Sequence, residues 1–131
     1  MSEIDYMIIA LFSMLFLHIV DDYYLQGILA KMKQCVWWAQ NYPQAKYQDD
    51  FITALFTHAF SWSFMIHIPV ALYFIAANRS IVPLVFTLIV NTFIHAFVDH
   101  LKANYYAINL TQDQLLHLGQ ILLTWSFTIC K

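Results

Sequence analysis

Residues 51–100 read FITALFTHAFSWSFMIHIPVALYFIAANRSIVPLVFTLIVNTFIHAFVDH, and this stretch decides the fold. Two apolar runs, residues 51–77 and 81–98, are each long enough to cross about 30 Å of hydrocarbon. Only Asn78, Arg79 and Ser80 lie between them. So short a polar break predicts a tight helical hairpin turning at one membrane face. Similar runs occupy residues 4–20 and 115–129. The expectation is therefore an all-α, four-helix transmembrane bundle, with residues 1–131 forming a single integral membrane domain.

Composition supports this: 61% of the 131 residues are hydrophobic and 11% charged, against about 45–50% and 25% in an ordinary globular domain. The first run is expected to be a retained helix rather than a secretory signal. It begins with Glu3 and Asp5 instead of a basic segment, and it is followed by Asp21, Asp22, Tyr23 and Tyr24 instead of a small-residue cleavage site. Cys35 and Cys130 fall at opposite faces of such a bundle, which argues against an intrachain disulfide.

Between the first two spans, Ile28, Met32, Cys35, Val36 and Ala39 recur at helical spacing, with Lys31, Lys33 and Gln34 interleaved. The pattern predicts one interfacial amphipathic helix between helices one and two, with Trp37, Trp38 and Tyr42 at headgroup depth and Pro43 ending it. Thr111 and Gln114 form a capping-box pattern that would open the fourth helix. Asp49 and Asp50 are expected to cap the second.

Three acid–imidazole pairs are spaced four residues apart: His18 with Asp22, His95 with Asp99, and Asp113 with His117. On a helix that spacing stacks both side chains on one face. An Asp at the bilayer centre costs roughly 2.5–3.5 kcal/mol on insertion scales, so such residues turn towards a cavity, a partner or an ion. In an up-down-up-down bundle all three pairs, with His58, lie at the same membrane end. The expected metal ligands are His18, Asp22, His58, His95, Asp99, Asp113 and His117, which suit one or two divalent ions of Zn, Mn, Fe or Ni. Gln26, Lys102 and Gln114 would hold substrate oxygens. Asp113 or Asp22 would be the catalytic base, Asp113 being placed at the aqueous mouth. His67, half a helical turn from His58 in angle, is expected to pack or kink helix two. His100 lies outside the primary ligand set. The rival account of the same residues is a metal-free network of ion pairs and hydrogen bonds that locks the helices together. There is no Gly-rich phosphate loop, no Ser or Cys nucleophile motif, and no basic stripe for nucleic acid.

The ordered set of His18-Ile-Val-Asp-Asp22-Tyr-Tyr-Leu-Gln26, Lys33, His58, His95-Ala-Phe-Val-Asp99-His-Leu-Lys102 and Asp113-Gln114-Leu-Leu-His117 resembles an uncharacterised family of small integral membrane proteins of bacteria, phages and prophages. The resemblance spans nearly the whole chain. It implies a multi-pass protein of the bacterial inner membrane whose functional polar positions are His18, Asp22, Gln26, His58, His95, Asp99, Lys102, Asp113, Gln114 and His117. The His and Asp pattern is more distantly similar to membrane-bound metal-dependent hydrolases, with different order and spacing. Together these features point to a membrane-embedded hydrolase acting on an amphiphilic phosphoester or lipid-like headgroup. The alternative is a non-catalytic metal-binding membrane protein, either ion-conducting, along the axis of a homo-oligomer, or modifying a host membrane.

Lys31, Lys33, Lys46 and Lys102 lie on one face of the expected bundle and Arg79 and Lys131 on the other. The positive-inside rule then puts both long loops in the cytoplasm and both termini outside. In a background lacking the native cysteines, Cys at positions 33 and 46 should be protected from labelling in intact cells and Cys at position 79 should be reached. The opposite pattern would invert the protein.

Overall fold

A computed structural model describes residues 2–130; Lys131, counted above for orientation, lies outside the described residues. All regular structure among them is helical. Helix α1 (Glu3–Ile19) runs on without a break into a π-helical turn (Val20–Leu25). Two short helices, α2 (Leu29–Met32) and α3 (Cys35–Asn41), and a 3₁₀ turn (Ala45–Tyr47) follow. Three long helices, α4 (Asp50–Ala76), α5 (Val82–Ala103) and α6 (Leu110–Thr128), complete the chain. Among the described residues, three segments are long and apolar enough to cross a membrane: Glu3–Leu25, Ala45–Ala76 and Val82–Ala103.

The hairpin between α4 and α5 turns on Asn78, whose φ of 49° is left-handed. The Arg79 N–H donates to Phe74 O at 2.9 Å and the Asn78 N–H to Ile75 O at 3.2 Å. This is a Schellman close, in which the two bonds satisfy carbonyls that the helix end would otherwise leave bare. Asn tolerates the left-handed region where β-branched residues do not.

The four long helices pack around Met14, Trp62, Ile66, Val70 and Ile121, all of them fully buried. Their outer faces are apolar as well. Phe12, Phe16, Phe86, Phe93, Phe97 and Leu123 are all largely exposed, far more apolar surface than a soluble monomer shows. Polar bridges tie the interior. The His67 Nδ1–H donates to Ser63 O at 2.6 Å, which leaves Nε2 to accept from the Thr87 hydroxyl at 3.0 Å, linking α4 to α5.

Three local expectations are corrected. The interfacial segment is two helices rather than one, because Asn104 reaches across from the end of α5. Its Oδ1 accepts from the Cys35 N–H at 2.7 Å and its Nδ2 donates to Lys33 O at 3.0 Å. That clamp satisfies the first donor of α3 and holds Gln34 extended. The fourth long helix starts two residues earlier than Thr111 suggests. Asn109 is its cap, with Asn109 and Gln112 bonding each other's backbone N–H at 2.9 and 3.0 Å, which frees Gln114 to turn inward. Asp49 does precede α4, but its side chain makes no capping bond.

Asn78→Val should lower stability to unfolding in detergent by about 1–2 kcal/mol, the cost of forcing a β-branched residue into the left-handed region, while Asn78→Gly should not. Equal effects of the two would contradict the Schellman account.

Candidate metal centre

The end of α1 shapes the site. Where the chain passes into the π-helical turn, the Gln26 N–H bonds Asp21 O at 3.0 Å, five residues back. The widened turn lets adjacent acids both face the bundle: Asp21 is buried and the Asp22 side chain is 6% exposed. Strict four-residue spacing selects only Asp22, so Asp21 was passed over in the sequence. Its Oδ1 accepts from the Ser61 hydroxyl at 2.6 Å, and its Oδ2 faces His58 Nδ1 at 3.6 Å.

His58 from α4 and His95 from α5 meet with their Nε2 atoms 3.2 Å apart. His58 Nε2 is also 3.2 Å from Asp22 Oδ1 and 3.4 Å from Asp99 Oδ2. His117 Nε2, from α6, is 3.6 Å from Asp99 Oδ1 and 3.3 Å from Asp113 Oδ1, with a well-directed hydrogen bond to neither. Two groups result, Asp22–His58–His95 and His95–Asp99–His117, each with one ligand atom per residue within 4.8 Å of the others. They share His95. These buried groups could hold a metal ion.

The surrounding hydrogen bonds fix which ring nitrogens are free. Gln120 Nε2 donates to Asn91 O and Oδ1 at 3.3 and 3.0 Å, so its Oε1 is the atom facing His117 Nδ1 at 3.3 Å. An amide oxygen only accepts, hence a proton sits on His117 Nδ1, and Nε2 faces two carboxylates, where it carries a second proton or meets a cation. At His58, Asp21 Oδ2 faces Nδ1 at 3.6 Å without a directed hydrogen bond, and the Gln26 amide nitrogen lies 3.2 Å from Nε2. Lone pairs facing carboxylate oxygens repel each other unless a cation or added ring protons lie between them. A hydrogen-bonded second nitrogen is also how metal-binding imidazoles are oriented.

The other expected ligands differ. His18 is buried, but both its nitrogens are occupied: the Trp62 Nε1–H donates to Nδ1 at 2.8 Å, so Nε2 carries the proton that meets Gln114 Oε1 at 3.1 Å. Trp62, also unmarked in the sequence, stacks on His95 with ring centres 4.2 Å apart. Asp113 is completely buried rather than at a mouth, because Lys102 closes over it, its Nζ donating to Asp113 Oδ2 at 2.5 Å. Neither His18 nor Asp113 belongs to the two convergent groups. His100 stands apart, stacked on Phe51.

The largest correction concerns Lys33. It is expected on the outer face of an interfacial helix, yet it is buried and donates to Asp99 Oδ2 at 2.5 Å. The Asn104 clamp on Lys33 O aims it there. Labelling at position 33 therefore reports burial, and position 46 carries the test of sidedness.

A crevice of about 310 Å³ opens beside the cluster, with Asp22, Gln26, Lys33, Lys102 and Gln114 among its lining residues. The Gln114 Nε2 donates to Asp22 Oδ2 at 3.0 Å and Asp113 Oδ2 at 3.1 Å. The Gln26 Nε2 lies 3.2 Å from both Asp22 O and His58 Nε2. Trp37 and Trp38 line none of it. Trp38 donates to Met32 O and packs with Trp37, Tyr42 and Tyr47 in an aromatic cluster.

Comparison of the chain with protein-family models, with curated proteins and with solved structures gives no match.

Removing one partner of a buried ion pair strands the other charge, at a cost of about 3–5 kcal/mol. Lys33→Ala should therefore destabilise the protein by about that amount in a detergent unfolding titration. A loss under about 1 kcal/mol would show that Asp99 does not depend on this lysine.

Proposed function

We propose that this chain is a membrane-embedded, metal-dependent hydrolase whose cluster holds one or two divalent transition-metal ions and acts on an amphiphilic phosphoester. One observation carries the proposal: two His–Asp groups sharing His95 adjoin a crevice lined by two lysines. Charge supports it. Against Asp21, Asp22, Asp99 and Asp113 stand two lysines, Lys33 and Lys102, and with the surrounding imidazoles neutral this leaves two negative charges in the interior, the amount one divalent cation offsets.

In this reading α6 is a fourth span. Its 19 residues cover about 28 Å, and Leu115, Leu116, Leu122, Leu123 and Phe127 form its exposed apolar face. Helices α2 and α3 lie at the cytoplasmic interface of a bacterial inner membrane, beside the mouth of the crevice.

A bound divalent metal would polarise the phosphoryl group and acidify a water. The rest falls to the chain. Asp22 is the acid that reaches the crevice, so it replaces Asp113 as the base. It accepts the proton of the attacking water as that oxygen bonds phosphorus and the ester P–O bond breaks. Lys102, 28% exposed at its side chain, protonates the departing oxygen. Gln26 and Gln114 hold Asp22 through their amides while Lys33 holds Asp99 through its ammonium group.

A non-catalytic reading rests on a specific observation too: each lysine already sits 2.5 Å from a carboxylate, as in a self-sufficient ion-pair network. Turnover separates the two. Metal-loaded protein should hydrolyse alkyl or isoprenyl phosphate esters, and Asp22→Asn should lower kcat by about 10²–10⁴-fold, the usual contribution of a general base. If the wild type turns over none of a panel of phospholipid, isoprenyl phosphate and nucleotide esters, the non-catalytic reading replaces the hydrolase.

A further inference from the structure

Beside the polar crevice, α1 and α6 diverge to leave a second opening of about 640 Å³ walled by Leu15, Ile19, Tyr24 and Leu118. Its lining is overwhelmingly apolar and it faces the zone where lipid chains lie. Tyr23 and Gln114 line both spaces. The other apolar grooves on the outer surface are different: those walled by Ile8, Phe12 and Leu72, and by Phe86, Ile94 and Leu123, share no residue with the crevice.

We infer that the α1–α6 groove is the slot for the hydrocarbon chain of a phosphate-bearing amphiphile whose headgroup enters the crevice between Lys33 and Lys102. The inference takes from the proposed function the cation that offsets the surplus carboxylate charge, but not turnover. Two physical demands are met at one junction. Lys33 and Lys102 each offset one carboxylate beside the crevice, so that a cation held by the cluster leaves the mouth able to take a phosphate, and the groove takes methylenes without drawing them past the buried cluster. The hydrogen bond from His18 Nε2 to Gln114 Oε1 forms the floor where the two meet. It keeps the polar end from sinking between the helices. The aromatic cluster of α3 is not the entrance. The substrate comes sideways from the bilayer.

The test uses the full chain in nanodiscs with a dodecyl phosphate carrying a diazirine at mid-chain. On illumination, cross-links should fall on peptides containing Leu15, Ile19 and Leu118. Unlabelled dodecyl phosphate should displace them and dodecanol should not. Leu118→Trp fills the groove, and excluding two or more methylenes should reduce labelling by about ten-fold or more, with folding checked by circular dichroism. If that variant does not fold, Ile19→Trp blocks the slot from the opposite wall. Labelling spread over all lipid-facing helices, or displaced equally by dodecanol, overturns the inference and marks the groove as ordinary lipid surface. Headgroup-dependent labelling without turnover of any ester keeps the slot and overturns the hydrolase reading alone.

Discussion

Asp99 sits four residues from the end of α5, 1% exposed, with Lys33 Nζ 2.5 Å away and three imidazoles around it. A carboxylate at such a place is tolerable only if its charge is met, and much of the chain is arranged to meet it. Lys33 must come from the segment after α1, which requires a break between α2 and α3. Asn104 makes that break by holding Lys33 O and Cys35 N. His58 and His117 must come from α4 and α6, which fixes the rotation of both helices. The π-helical turn at the end of α1 then brings in Asp21 and Asp22. Remove the buried charge, and neither the turn nor the clamp has an evident purpose.

Much of this is legible in the sequence. Apolar length and the three-residue break at Asn78 give the four long helices, and four-residue spacing finds His95 with Asp99 and Asp113 with His117. What escapes has physical causes. Asp21 is invisible because regular helical spacing assigns it to the wrong face, and only a π-helical turn rotates it inward. Lys33 fits an amphipathic pattern as an outward cation, and no periodicity reveals that a distant Asn104 turns it in. Trp62 lies one turn from His58 but carries no ionisable group, so nothing flags it as the donor that occupies His18. Asp113 is near the start of α6, where exposure is the natural expectation, and only Lys102 folding over it accounts for its burial.

The cluster and its surroundings divide the chemistry. Gln120 and Trp62 place protons on His117 Nδ1 and His18 Nε2, and the Nε2 atoms of His58 and His117 face carboxylates. Lys33 and Lys102 lower the interior charge without cancelling it. The crevice gives Asp22 access to water, and the α1–α6 groove gives the same place access to lipid. Such a division suits a reaction at the boundary between headgroup and chain better than transport across the membrane.

All of it rests on a cation at the shared His95. Elemental analysis of the full chain, purified in detergent without added metal and compared with Asp99→Ala, tests that most directly. The wild type should carry about one or two equivalents of a divalent transition metal, the variant much less, and chelation should lower the melting temperature of the wild type, since a metal bound only by the folded site stabilises it. Wild-type protein that is metal-free as purified, takes up none on dialysis and melts unchanged with chelator would contradict the account and leave the cluster as an ion-pair lock.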